Sequence, residues 1–190
     1  MCSRIFMGLF FFISSIIMAT EQPSYELLKK DGAFELRNYK SLVVIQTTSF
    51  TSRNSNFRLL ASYIFGENET DQKIPMTAPV LMEDYKQPSE SMMFVLPKGI
   101  SYEKAPVPLN ENITVLNKKI DQVVSITFSG FLSKKKVNKQ CQLLRKWASQ
   151  QKILVHPTHV IIASYNPPWT LPPYRKNECW IPVLPVQFVK

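Results

Sequence analysis

The sequence predicts an α+β domain: a distorted antiparallel sheet or barrel of roughly eight strands carrying two helices, built from two similar βαββ-like halves. Three observations predict it. Short runs of alternating apolar and polar residues recur between turn residues. Two segments instead place apolar side chains at helical spacing. Each helical segment is flanked on both sides by extended runs, so one plan occurs twice with little residue identity between the copies. Glycine is scarce (5) and proline abundant (14), mostly between apolar runs, as stiff connections in a β-rich chain require.

In the first half, Tyr25 to Lys29 and Phe34 to Tyr39 read as strands joined through the turn pair Asp31-Gly32. Leu42 to Phe50 continues in extended, β-branched character. A helix follows, with Ser52 or Asn54 able to cap it and Phe57, Leu60, Ala61 and Ile64 forming one apolar stripe. Gly66 suits the left-handed position after its end. Lys73 to Glu83 reads as an edge or bulged strand because Pro75 and Pro79 share one face, and Ser91 to Leu96 is the next strand.

The second half gives strands at Ile113 to Leu116 and Val123 to Phe128, and a helix capped by Ser133 and running to about Gln151. Its stripe is Val137, Cys141, Leu144 and Ala148. Extended runs close the chain at Ile153 to Tyr165, broken by Pro157, and Glu178 to Leu184.

Residues 1–20 stand apart. Arg4, the uncharged apolar run Ile5 to Met18, and the small Ala19 and Thr20 follow the order of a secretory signal peptide. The run is short for a bilayer span, although an uncleaved N-terminal anchor is the rival reading. Residues 21–190 then form one domain, secreted or periplasmic, or membrane-anchored if the leader stays. Export permits a disulfide between Cys141 and Cys179; two buried thiols serve equally well as small core residues.

The chain carries 23 Lys+Arg against 14 Asp+Glu, net +9, which favours anionic partners such as acidic membrane surfaces or carboxylate-bearing small molecules. Nucleic acid is not expected, for lack of any recognised binding module. Lys134, Lys135 and Lys136 open the second helix against its dipole, as a solvated basic face or a contact surface for acidic lipid. The sequence has no Cys-x-x-Cys-His for covalent haem, no His-Glu-x-x-His, no Gly-x-Ser-x-Gly and no phosphate loop, so no catalytic set is nominated. His156 and His159 should face opposite sides of a strand. They and Met76 are weak candidates for a metal ligand. Glu178, at a strand start, is expected to be half-exposed and paired with Arg175 or Arg37; facing a pocket, it would favour cationic ligands.

Several stretches carry a resemblance: Tyr25-Glu26-Leu27 with Glu35-Leu36-Arg37-Asn38-Tyr39; Phe57-x-x-Leu60-x-x-Tyr63-Ile64-x-Gly66-x-Asn68; Lys73-Ile74-Pro75-Met76-Thr77-Ala78-Pro79-Val80; and Ala163-x-Tyr165-Asn166-Pro167-Pro168-Trp169 with Arg175-Lys176-Asn177-Glu178-Cys179-Trp180. Together they resemble the SOUL/haem-binding protein family over nearly all of the chain after the leader. The resemblance implies a distorted eight-stranded barrel with two helices and non-covalent binding of haem or another porphyrin near the first helix. It implies Asn54, Phe57, Leu60 and Ala61 as contact positions, with Arg53, Arg58, Arg175 or Lys176 as partners of the tetrapyrrole propionates. The stretch Tyr39 to Phe50 has no histidine, and Asn54 and Ser62 stand where basic residues are found in the family. The two-half plan is also similar to drug-effector-binding domains, which use a buried carboxylate; here that acid would be Glu178, in a module that senses or sequesters amphipathic ligands.

Overall fold

The computed structural model describes residues 20–47, 52–85 and 90–185. All but the last residue of the expected leader, and the end of the strand expected over Leu42 to Phe50, lie outside the described residues. The elements in chain order are β1 (Tyr25–Asp31), β2 (Phe34–Tyr39), β3 (Leu42–Thr47), α1 (Arg53–Ile64), β4 (Val80–Glu83), β5 (Ser91–Val95), β6 (Ile113–Lys118), β7 (Asp121–Phe128), α2 (Lys134–Gln150), β8 (Ile161–Ser164) and β9 (Asn177–Pro182). Short 3-10 turns cover Tyr102–Lys104 and Pro172–Tyr174.

All nine strands join one antiparallel sheet in the order β1-β2-β7-β9-β8-β4-β5-β3-β6, curled into a half-barrel. Without the edge strand β1, this order is symmetric about the β4–β8 pair. Val80 faces Ser164 and Glu83 faces Ile161 across it. The repeat unit is therefore ββαββ, and the first strand of each unit is exchanged: β2 pairs with β7, and β6 with β3. The sequence reading found the repeat but not the exchange, which is a non-local pairing.

Side chains alternate between two cores. The outer face packs under the helices, with Ile45, Phe94, Val124, Ile126 and Ile162 against Leu60 and Ile64 of α1 and Leu144 and Trp147 of α2. The inner face collects Tyr39, Val44, Leu81, Met93, Val123 and Trp180. Among the described residues no helix lies over this inner cluster, and the curl of the sheet shields it from water.

Three expectations need correction. Only Val80–Glu83 of the run Lys73 to Glu83 is strand, because Pro75 and Pro79 lack the N–H that a ladder needs. Of Ile153 to Tyr165 only Ile161–Ser164 is strand, with an isolated bridge from Val155 to Val183. The inward face of α1 is Asn56, Leu60, Tyr63 and Ile64, which leaves Phe57 and Ala61 half-buried on a shoulder. Two polar anchors rotate the helix away from its apolar stripe. Asn56 Nδ2 donates to Thr47 Oγ1 at 3.3 Å, and Tyr63 donates its hydroxyl to Pro106 O at 2.7 Å.

The caps agree with the sequence. Ser52 Oγ accepts the Ser55 N–H at 3.1 Å, and Ser133 Oγ accepts the Lys136 N–H at 3.2 Å. Gly66 follows α1 with φ +119°. Cys141 of α2 and Cys179 of β9 form a disulfide, one of the two alternatives left open by the sequence. It closes a loop with a sequence separation of 38 and fastens α2 to the sheet. The double variant Cys141→Ala/Cys179→Ala is expected to lose roughly 3–4 kcal/mol of stability, the cost of freeing a loop of that length in the unfolded chain. Urea unfolding under non-reducing conditions measures it; an unchanged midpoint would mean that packing alone seats α2.

Candidate functional site

The most elaborate polar constellation lies inside the curl. Glu178 alternates along β9 with Cys179, so as Cys179 reaches outward to α2 the carboxylate points to the inner face, where it is fully buried. The expected half-exposure is thus corrected, while the expected pairing with Arg37 is present. Arg37 Nη1 donates to Glu178 Oε2 at 2.8 Å and Nη2 to Oε1 at 3.0 Å. Tyr165 (2.8 Å) and Trp180 Nε1 (2.7 Å) also donate to Oε2, and Thr127 Oγ1 donates to Oε1 at 3.2 Å.

Arg37 is equally well held. Its Nε donates to Glu35 Oε2 at 2.7 Å, its Nη1 reaches the Tyr39 hydroxyl at 3.1 Å, and its guanidinium lies 4.3 Å from the Tyr25 ring centroid. Burial alone would raise the Glu178 pKa, but the Arg37 fork and the Trp180 and Tyr165 donors outweigh it and hold the carboxyl at about 2. Burial drives Tyr165 and Tyr39 upward, so both stay protonated: Tyr165 donates to Glu178, while the Tyr39 hydroxyl accepts from Arg37. A carboxylate with both oxygens saturated is a poor general base. A cationic guest would have to displace an internal arginine to reach it.

The outer shoulder of α1 is open by contrast. A shallow groove of about 560 Å³ runs beside Ala61, Ser62 and Phe65. Arg58 and Lys73 bring cations to it, and Glu67 and Asp71 bring acids. Asn68, buried in the turn after α1, ties down the segment that carries Glu67 and Asp71 to the groove. Asn68 Nδ2 donates to Tyr63 O (2.9 Å) and Gln72 O (2.8 Å), while Oδ1 accepts the Gln72 N–H at 3.0 Å.

Of the positions expected to contact a ligand, Asn54 is exposed near the start of α1, Phe57 and Ala61 are half-buried on the shoulder, and Leu60 is 0% exposed. Leu60 belongs to the core because Asn56 and Tyr63 turn its side of the helix inward. Phe57 stacks edge-on against Phe94 at 5.1 Å between centroids. Among the expected propionate partners, Arg58 lies on the groove. Arg53 is engaged with Glu90, at 2.6 and 2.7 Å, and with the Tyr85 ring. Arg175 and Lys176 sit between β8 and β9 in the other half of the sheet. Arg175 donates to Thr170 O and Pro168 O, and Lys176 lies over the Tyr165 ring. Phe65, 69% exposed, and Lys73 were not singled out from sequence; the one signal for Phe65 was its place just before Gly66, past the helical stripe.

The two histidines are corrected as well. They occupy a turn rather than a strand, so their rings meet at 5.6 Å instead of pointing apart. His156 Nδ1 accepts the His159 N–H at 2.9 Å, and His159 Nε2 lies 3.0 Å from Glu83 Oε1. Among the described residues no three His, Cys, Asp or Glu side chains gather as a metal site. Met76 is 40% exposed, whereas Met82, Met92 and Met93 are core.

A family model described as "SOUL heme-binding protein" matches residues 20–182. Human "Heme-binding protein 2" is 28% identical over 180 residues, covering 86% of this chain and 86% of its own length. Xenopus tropicalis "Heme-binding protein 1" is 27% identical over 166 residues, covering 80% and 85%. Among solved structures, a Listeria innocua protein described as a hydrolase has a TM-score of 0.58 at 8% identity, covering 80% of this chain and 92% of its own. The C-terminal domain of EcmrR has a TM-score of 0.55 at 14% identity, covering 85% and 99%. At these identities the two structures show a shared fold.

The buried pair generates two expectations. Arg37→Met leaves a charged carboxylate sealed without its partner and should cost about 3–5 kcal/mol, whereas Arg37→Met/Glu178→Met should cost less than that single change; urea midpoints compare them. Because the folded pKa of Glu178 is depressed, its contribution is complete above the ordinary value of 4.5 and drains away as pH falls toward about 2. Acid unfolding followed by circular dichroism should show this loss in the wild type and a weaker one in Glu178→Gln.

Proposed function

The chain belongs to the SOUL heme-binding protein family, and on that premise we propose that it binds haem or a related tetrapyrrole non-covalently, as a carrier, scavenger or buffer. The site is the outer shoulder of α1, where Phe57, Ala61 and Phe65 offer apolar surface beside Arg58 and Lys73, with Asn54 at the near end. The groove on that shoulder is the observation that carries this reading. A flat macrocycle gains about 2.5 kcal/mol for each 100 Å² of apolar area removed from water, and cations at the groove edge suit its propionates. Glu67 and Asp71 oppose the same charges, which favours an orientation with the propionates toward Arg58 and Lys73.

Binding without an iron ligand agrees with the lack of histidine on α1 and in the described part of the segment before it. A binding role rather than a catalytic one is supported by the saturation of Glu178. The leader expected over residues 1–20 and the Cys141–Cys179 bond together support an oxidising compartment outside the cytosol.

Titration of the protein with haem and with metal-free porphyrin, side by side, tests this. Both should shift and sharpen their Soret bands with similar affinity. Phe65→Asp and Arg58→Glu, both at exposed positions, should each weaken binding about tenfold, a loss of 1.4 kcal/mol. An unaltered spectrum at micromolar protein and ligand would overturn the reading; binding of haem alone would show that iron ligation dominates.

A further inference from the structure

The second half of the molecule carries a surface that the tetrapyrrole site does not use. From Gln122 to Asn177 the sequence contains no Asp or Glu, while Lys134, Lys135, Lys136, Lys139, Arg145, Lys146, Lys152, Arg175 and Lys176 all fall within it. Within this acid-free stretch four large apolar side chains point into solvent: Trp169 (81% exposed), Tyr174 (76%), Leu171 (64%) and Phe131 (60%). The β8–β9 loop and the start of α2 bring them together. The Arg175 guanidinium lies 4.7 Å from the Phe131 ring centroid, and Asn177 Nδ2 donates to Gly130 O at 2.9 Å.

The loop is fastened while the side chains of Trp169, Leu171 and Tyr174 project from it. Thr170 N donates to Pro167 O (3.0 Å), Tyr174 N to Leu171 O (3.0 Å), Arg175 Nε to Thr170 O (2.7 Å) and Lys176 N to Asn166 Oδ1 (2.6 Å). Pro167, Pro168, Pro172 and Pro173 stiffen it further. The outward aromatics are therefore held in place. Exposed Lys134 and Lys135 follow Phe131 on the first turn of α2, and exposed Lys176, whose Nζ lies 3.3 Å from Glu178 Oε1, follows Tyr174 and Arg175 in the loop.

We propose that this face docks on a bilayer of anionic phospholipid, with Trp169, Leu171, Tyr174 and Phe131 entering the headgroup region and the neighbouring lysines meeting the acidic heads. Amphipathic rings settle at the boundary between headgroups and acyl chains, and each lysine near the surface strengthens the attraction. A second copy of this chain is a poor occupant, because it would present the same excess of positive charge.

Trp169 reports on the face directly, since Trp147 and Trp180 are buried. That matters in the full chain, because the apolar stretch Ile5 to Met18 is itself a lipid-partitioning sequence. Vesicles of phosphatidylcholine, alone or mixed with phosphatidylglycerol, are added to the full chain and tryptophan emission is followed. The expected result is a blue shift, and quenching by brominated acyl chains, on the mixed vesicles alone, diminished by salt. Trp169→Phe should remove the shift. Lys134→Glu/Lys135→Glu should weaken partitioning by roughly fivefold or more per lysine, and Leu171→Ser/Tyr174→Ser should weaken it too. All these positions are exposed, so the fold is kept. No shift on anionic vesicles, an equal shift on neutral ones, or a shift indifferent to both double variants would overturn the proposal. Failure on every vesicle would leave the face to an acidic protein partner. None of these outcomes depends on whether tetrapyrrole binds.

Discussion

The links Lys40-Ser41 and Lys119-Ile120 impose the curl on which the rest of the molecule depends. Each joins strands that are six places apart in the sheet, β2 to β3 and β6 to β7. In a flat sheet that separation is about 29 Å at the usual strand spacing, yet three Cα steps reach at most about 11 Å. The sheet must therefore roll until its two flanks meet. In and near the links, Tyr39, Leu42, Ile120 and Val123 are buried in the inner cluster. Rolling also creates an interior that no helix has to cover, and it carries the Arg37–Glu178 pair out of water. The inner face tolerates these charges because both oxygens of Glu178 and all three guanidinium nitrogens of Arg37 are hydrogen-bonded.

That closure divides labour between the two faces. A half-barrel with an empty interior offers a pocket; here the interior is filled by Tyr39, Trp180, Met93 and a neutralised ion pair, so recognition is left to the outside. The helices differ accordingly. α2 is clamped by a disulfide and by a regular apolar stripe. α1 is turned by polar anchors and keeps an apolar shoulder in contact with solvent, next to a turn tied down by Asn68. The site proposed for a tetrapyrrole is a consequence of that rotation.

Much of this was readable in the residues. Strand alternation, both serine caps, the turn glycines and the α2 stripe are local signals, and they gave the elements nearly in place. Apart from the two extended runs that prove shorter than their apolar pattern and the turn that holds the histidines, the failures were non-local. Alternation cannot reveal that β2 and β6 change places, because pairing partners far apart in sequence leave no periodic trace. The stripe on α1 missed by one residue because buried Asn56 and Tyr63 anchor through hydrogen bonds, which apolar spacing does not register. Glu178 was recognised as an unusual acid with Arg37 among its expected partners, but a lone carboxylate in a strand gives no sign of how deeply it is sealed. Nothing in the spacing of Trp169 and Tyr174 marks them as exposed; only the geometry of a proline-stiffened loop shows them turned outward.

The exchanged first strands have a consequence for chain length. A polypeptide carrying only one ββαββ unit would have its second strand unpaired on one side and its first strand with nowhere to pair at home. It can satisfy the same ladder only by lending that strand to a twin and borrowing one in return. The fold is thus the covalently joined form of an intertwined dimer, and the stretch from Leu96 to Asn112 is the tether that makes two molecules into one.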